Sequence, residues 1–159
     1  MQKSIFMLLF FYAMSLYGQS KSITQFRETY KENTNLFFYS STLKMLNTDN
    51  NPELADLLDD IEEIRVLNYE KSKQSFTRDD VKKLTQDLLQ EDYVDLMQMN
   101  EQGNRIMLYS RQKRGKTVGF VAVADNKESL VLIDLIGSID VKKFLELKQK
   151  LDVKMGSQP

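Results

Sequence analysis

The start of the chain has a different hydrophobic pattern from the rest. Lys3 is followed by an almost uninterrupted apolar run from Ile5 to Tyr17. This run fits the ~7–15 apolar residues of a signal-peptide core and is short of the ~20 residues that span a bilayer. We therefore predict a signal peptide over 1–18, cleaved between Gly18 and Gln19. The alternatives are a buried N-terminal helix or an uncleaved membrane anchor.

The remaining chain alternates between helical and strand periodicity. Thr77 and Asp80 resemble a capping box at the start of one helix. In the first half of the chain, the pattern predicts helices at 20–35, 40–46 and 52–58 interleaved with strands at 36–39 and 61–69. A helix from Thr77 to about Glu91 is followed by strands at 93–99, 105–111, 117–124 and 130–136. A final helix begins at Asp140, and its apolar residues are Val141, Phe144, Leu145, Leu147 and Leu151.

These elements predict an α+β fold. The last four strands are separated by short turns rich in Gly, Asn and Asp, which is typical of an antiparallel meander. We expect a mixed or mainly antiparallel sheet, packed by helices and ending in a C-terminal helix. Strands separated by helices are predicted to be able to pair in parallel through right-handed crossovers. Leu36–Tyr39 is apolar on both sides and is expected to be buried on both faces.

The predicted organisation is a single domain. It consists of a helical segment at 19–35, the α+β domain at 36–152 and a disordered tail at 153–159. No Pro- or Gly-rich linker divides the chain. The 42% hydrophobic content is sufficient for one core.

The composition excludes several classes of chemistry. The chain has no cysteine and no histidine, so disulfides, thiol nucleophiles, zinc sites built on these residues and histidine-based triads are excluded. A lipid anchor on cysteine is excluded for the same reason. The net charge of −1 does not favour nucleic-acid binding. No metal or cofactor site is predicted. The acidic stretch 49–60 has the length of a calcium loop, but Leu54 lies where such a loop needs glycine.

Ser41 and Lys44 match the serine-x-x-lysine pattern of certain serine hydrolases, in which the lysine accepts the serine proton. The other signature elements of those enzymes are missing. The favoured interpretation is a hydroxyl at a helix start followed by a solvated lysine.

The turn between the predicted strands at 105–111 and 117–124 is basic. Arg111, Lys113, Arg114 and Lys116 lie within six positions of one another. Such a cluster is able to contact phosphate, lipid headgroups or an acidic partner. A solvated hairpin tip is the simpler interpretation.

Asp134 is the one charged residue in the apolar strand at 130–136. A buried carboxyl there would have a raised pKa and would be a candidate general acid or base. A structural hydrogen bond or an open sheet face is favoured. The methionines Met45, Met97, Met99 and Met107 are expected to fill the core.

The chain resembles the bacterial family called domain of unknown function 4252. The segments that carry the resemblance are 37–46 (FFYSSTLKML), 64–67 (IRVL), 93–97 (YVDLM) and 132–140 (LIDLIGSID). It covers about Ser22 to Leu151 and implies an exported envelope protein with no assigned catalytic residues. Many relatives look like lipoproteins, whereas this chain lacks the lipid-bearing cysteine.

These observations predict an exported protein of the periplasm or outer membrane of a Gram-negative bacterium. Its expected role is a non-enzymatic binding or regulatory accessory domain with an envelope protein or a ligand as partner. An outer-membrane structural or assembly factor is the alternative. A small hydrolase that uses Asp134, or Ser41 with Lys44, is less favoured.

Overall fold

The computed structural model describes residues 20–45, 47–138 and 142. Six antiparallel strands form one sheet in the order β1-β2-β6-β5-β4-β3. The strands are β1 (Thr34–Tyr39), β2 (Ile61–Glu70), β3 (Tyr93–Glu101), β4 (Asn104–Lys113), β5 (Lys116–Asp125) and β6 (Ser129–Gly137). The predicted signal peptide, the predicted helix from Asp140 and the tail lie outside the described residues. The α+β class is confirmed.

Within the described residues, four α-helices accompany the sheet. They are α1 (Lys21–Thr29), α2 (Ser40–Lys44), α3 (Pro52–Asp59) and α4 (Arg78–Leu89). The capping box predicted at Thr77 and Asp80 is present at the start of α4, where each residue accepts from the other's backbone N–H. Aspartate therefore serves in the place usually taken by glutamate.

The main core lies between one face of the sheet and helices α1 and α4. We call this face the helix-covered face. Ile23 and Phe26 of α1 pack with Val81, Leu84 and Leu88 of α4. Their partners on the sheet are Leu67, Tyr69, Tyr93, Met107, Tyr109, Val121, Val123, Leu130 and Leu132. Helix α1 is thus part of the core of the sheet domain.

A smaller core lies on the opposite face, at one end of the sheet. Leu43 of α2 and Leu57 and Leu58 of α3 form it with Ile61. Phe38, Leu54, Ile64, Phe120 and Leu135 are partly buried against this cluster. Helices α2 and α3 therefore cover only part of the opposite face.

The predicted parallel pairing of the helix-separated strands is wrong. β1 pairs with β2 in an antiparallel manner, and β2 pairs with β6 likewise. The short α2–α3 connection folds back to the same end of the sheet, whereas a parallel pair needs a crossover that returns to the opposite end.

The predicted burial of β1 and of the methionines is also largely wrong. β1 is an edge strand, and Leu36, Phe37 and Tyr39 are exposed. Met45 is 78% exposed, and Met97 and Met99 are exposed on the other edge strand, β3. Only Met107, on an inner strand, is buried. An edge strand has one neighbour instead of two, so apolar residues on it lose less surface to packing.

Candidate functional site

A cleft of about 780 Å³ lies beside the β4–β5 hairpin, and its walls carry four basic side chains. These are Arg111, Lys113, Arg114 and Lys116. The acids that line the same cleft are Glu62 and Asp92, so positive charge is in excess. The remaining lining is Tyr93, Gln112, Val118, Gly119, Leu135 and Ile136. We call this the basic cleft.

The hairpin turn places the basic side chains. Arg114 and Gly115 both have positive φ, at 51° and 74°, which is the backbone of the two-residue turn that matches the strand twist. Two pairs away from the turn, the register shifts at a bulge between Arg111 and Gln112, and beyond this bulge Arg111 pairs with Gly119. The side chain of Gln112 bridges the two strands by donating to Ser110 Oγ and Thr117 Oγ1. The basic residues are thus carried on a cross-linked hairpin.

Arg111 connects the basic cleft with the interior of the sheet. Its guanidinium carbon lies 5.6 Å from the ring centroid of Tyr93, a side chain that is 4% exposed. Gly119 stands opposite Arg111 in the register and also pairs with Ile136. A Cβ at Gly119 would lie 2.7 Å from the backbone oxygen of Leu135. Close strand approach therefore requires glycine at this point of the cleft floor.

Asp134 is buried on the helix-covered face, with 3% of its surface exposed. Burial raises the pKa of its carboxyl to about 6, and the charge of Glu63 adds to this rise. The Ser20 backbone N–H and the charges of Arg65 and Arg111 act in the opposite direction. Among the described residues, none forms a hydrogen bond with Asp134 Oδ2. Asp134 does not line the basic cleft.

Arg65 is the neighbour of Asp134 in the strand register. It is 4% exposed, and its guanidinium carbon lies 4.3 Å from the ring centroid of Phe37. One of its nitrogens lies 3.8 Å from Glu63 Oε1. The structure therefore brings a second carboxylate, Glu63, near Asp134, which the sequence did not predict. Arg65 has both acidic and basic side chains around it.

The N-terminus of α1 lies next to this buried cluster. Ser20 begins the helix, and its hydroxyl accepts from the Ile23 N–H. The carboxylate of Glu91 accepts from the N–H groups of Lys21 and Ser22 at 2.8 and 2.6 Å, and also from the Ser22 hydroxyl. A negative charge is favourable at a helix N-terminus. Glu91 thus anchors α1 over the end of the sheet that holds Asp134.

Ser41 and Lys44 are placed at the surface of the structure. Both residues are exposed on α2, which has only five residues. Lys44 Nζ lies 2.6 Å from Asp59 Oδ1. Lys44 therefore forms an ion pair with a carboxylate at the protein surface.

Sequence reasoning found the basic residues of the cleft but missed the rest of it. Glu62, Asp92, Tyr93 and Gly119 reach the cleft from separate strands and loops. The lone arginine at 65 in an apolar strand was the available signal for the buried cluster. Its match with Asp134 depends on the strand order, which one sequence does not show.

Two further properties concern the described residues. No group of three or more acidic residues there is arranged to hold a metal ion. Within the same residues, no helix has the length and apolar character needed to cross a membrane.

Fold and site together define a small α+β domain with a six-stranded antiparallel sheet and a basic cleft at one end. The family model described as Domain of unknown function (DUF4252) matches residues 28–147. The chain belongs to this family, which confirms the resemblance seen in the sequence. No curated protein and no solved structure matches the chain.

Proposed function

We propose that this protein is a non-enzymatic binding domain whose basic cleft takes an anionic group of a partner or ligand. The observation that carries the proposal is the convergence of Arg111, Lys113, Arg114 and Lys116 on one cleft. Grouped positive charges raise the local concentration of an anionic partner and orient it as it approaches. The apolar part of the floor, Leu135 and Ile136, supplies contact area beside the charges.

The positions of the candidate catalytic groups support a role without catalysis. A general acid has to reach within hydrogen-bond distance of its substrate. Asp134 is 3% exposed and lies outside the cleft. Lys44 is held by Asp59. Neither group is presented to a substrate at the basic cleft.

We further propose that the protein is exported and acts in the periplasm or at the outer membrane of a Gram-negative bacterium. The support is the apolar run that follows Lys3 and ends near Gly18. Intact mass of protein from a periplasmic fraction tests this. Export predicts a mass that begins at Gln19, whereas a full-length mass in the cytoplasm would contradict it.

Binding is tested by titrating the protein with oligoglutamate and with inorganic pyrophosphate. One variant combines Lys113→Gln, Arg114→Gln and Lys116→Gln. The matched control removes three exposed cations elsewhere through Arg78→Gln, Lys82→Gln and Lys127→Gln. Both variants change the net charge equally, so only the position of the charges differs.

For the cleft variant we expect a loss of affinity of roughly tenfold or more and a weaker salt dependence. The control is expected to bind within about twofold of the original chain. Equal losses in both variants would show a global charge effect. Absence of binding by the original chain to either probe would contradict the proposed anion site.

The exposed edge strand β3 favours one alternative, a structural or assembly role at the outer membrane. Eight of its nine residues are exposed. In this alternative the basic hairpin holds the protein at the membrane. Reversing the charge of Arg111, Lys113 and Arg114 is then expected to release the protein from membrane fractions. Unchanged fractionation would contradict this role.

A further inference from the structure

The face of the sheet opposite α1 and α4 carries an apolar row that crosses all six strands. The row is formed by consecutive register partners, from β1 to β3: Leu36, Val66, Ile133, Ala122, Leu108 and Met97. None of the six is buried, and Leu36 and Met97 at the ends are both 46% exposed. We call this set of residues the apolar row.

The neighbouring register row, on the helix-covered face, shows how strongly packed helices reduce the exposure of such residues. Its four inner members are Leu67, Leu132, Val123 and Met107. The first three have no exposed surface, and Met107 is 9% exposed. Helices α1 and α4 account for this burial. The apolar row therefore lacks a comparable cover among the described residues.

Helices α2 and α3 reach only the end of the sheet next to the apolar row. Their cluster includes Phe38, Ile64, Phe120 and Leu135, which form the adjacent register row. Toward β3, Val94, Met97 and Met99 are exposed. The uncovered part of this face therefore extends from the end of α3 toward the β3 edge.

The chain leaves the sheet beside α3. β6 ends at Gly137, which pairs with Ile61, and the Ser138 N–H donates to the Asp60 oxygen at 3.0 Å. Asp60 directly follows α3, whose apolar side chains lie on the same face as the apolar row. The next residues of the chain therefore start at the border of the uncovered surface.

The segment that follows has the composition of a covering helix. Val141, Phe144, Leu145 and Leu151 recur at helical spacing, and lysines occupy many of the intervening positions. A helix over 140–151 extends about 18 Å. The distance from β6 to β3 is about 14 Å at the usual strand spacing. The segment is long enough to cross β5 and β4 and reach β3.

We propose that segment 140–151 docks as an amphipathic helix on the apolar row, between α3 and the β3 edge. Its apolar side chains contact Ala122, Leu108 and Met97. Lys143 and Lys150 lie on the opposite side of the helix and face the solvent. The segment thereby completes the second layer of helices over the sheet.

Cysteine pairs in the full chain test the docking, because the natural sequence contains no cysteine. Leu145→Cys is combined with Met97→Cys, and in a second protein with Leu108→Cys. The matched control combines Leu145→Cys with Gln98→Cys. Gln98 is next to Met97 and pairs with Met107, whose side chain is on the helix-covered face. Crosslinks formed by a short bismaleimide are mapped by peptide mass.

We expect intramolecular crosslinks to Met97→Cys or Leu108→Cys and at least fivefold less crosslinking to Gln98→Cys, since the two faces of a strand point apart. Crosslinks between two molecules would show that a second copy occupies the row and would overturn the proposal. Equal crosslinking at positions 97 and 98, or none at 97 and 108, would also overturn it.

A second measurement does not depend on crosslinking geometry. Phe144→Asp is expected to increase the fluorescence of a dye that binds apolar surface by about threefold or more, because it weakens docking. Lys143→Asp, on the polar side of the segment, is expected to leave the fluorescence unchanged. An unchanged signal for Phe144→Asp would overturn the proposal.

Discussion

Arg65 and Asp134 face each other across β2 and β6, and both side chains are almost fully buried, at 4% and 3% exposure. Arg65 Nε and Nη1 and Asp134 Oδ2 form no hydrogen bond within the described part of the chain. Burying charged groups is costly, and removing one partner leaves the other uncompensated. The stability of the sheet therefore depends on the charge states of Arg65 and Asp134.

Replacing Arg65 alone tests this link. We expect Arg65→Met to lower the free energy of unfolding by about 3–5 kcal/mol, because Asp134 stays buried without the cation that most favours its charged form. Arg27→Met is the control, since Arg27 is 34% exposed and lies 3.7 Å from Glu32, and its loss is expected to cost about 0–1 kcal/mol. Urea denaturation measures both. Equal costs for the two variants would contradict the special role of Arg65.

The pH dependence of stability follows from the raised pKa of Asp134. Its pKa in the folded protein is about 6, above its ordinary value of 3.8. The folded state therefore binds this proton more tightly, so the favourable contribution is present at low pH and is lost as pH rises through about 6. Asp134→Asn mimics the protonated form. We expect its stability relative to the original chain to rise by about 2 kcal/mol from pH 4 to pH 7.

Denaturant titrations at a series of pH values measure that difference. Asp56→Asn is the control, because Asp56 is exposed on α3. A relative stability of Asp134→Asn that stays constant with pH would contradict the assignment of the titration to this residue.

The stability contribution of Asp125, the last residue of β5, is expected to depend on pH in the opposite direction to that of Asp134. Burial alone would raise its pKa, but Lys71 and Arg105, each 2.5 Å from the carboxylate, hold that pKa below its ordinary value. The stabilisation is present above the ordinary pKa and is lost as pH falls. Asp125→Asn therefore loses stability at neutral pH and converges with the original chain in acid. A constant difference across acid pH would contradict this coupling.

Among the glycines of the described residues, Gly137 has the least space for a side chain. It has φ of +156°, and a Cβ there would lie 2.3 Å from the Asp60 oxygen. We expect Gly137→Ala to cost about 3 kcal/mol or more in thermal or urea unfolding, because backbone has to move. Gly115→Ala is the comparison. Nothing lies within 4 Å of its added Cβ, so only the turn strain of about 1 kcal/mol is expected. Equal costs would show that the contact with Asp60 is relaxed easily.

The elements that depend on near neighbours in the chain were predictable. The Thr77–Asp80 capping box and the two-residue turn at Arg114 and Gly115 use groups within a few residues of one another. The apolar run before Gly18 and the family resemblance were also visible in the sequence. The predicted strands were found, with ends that differ by a few residues.

The properties that depend on strand order were not predictable from one sequence. The number of neighbouring strands decides whether Leu36 and Met97 lie in the core or on an edge strand. An inner strand and an edge strand have the same apolar sequence pattern. The pairing of Arg65 with Asp134 joins residues far apart in the chain through the β2–β6 register. The acidic and apolar parts of the basic cleft assemble in the same way.

The sequence by itself determined the local turns and caps, the α+β class, the basic hairpin and the absence of thiol and imidazole chemistry, because each depends on residue type or on contacts a few positions away. Only the tertiary structure decided that Asp134 is buried beside Arg65, that the hairpin lines a cleft, and that helices α2 and α3 cover only part of one sheet face. Those properties arise from register and layer packing, which bring together residues that the chain order keeps apart.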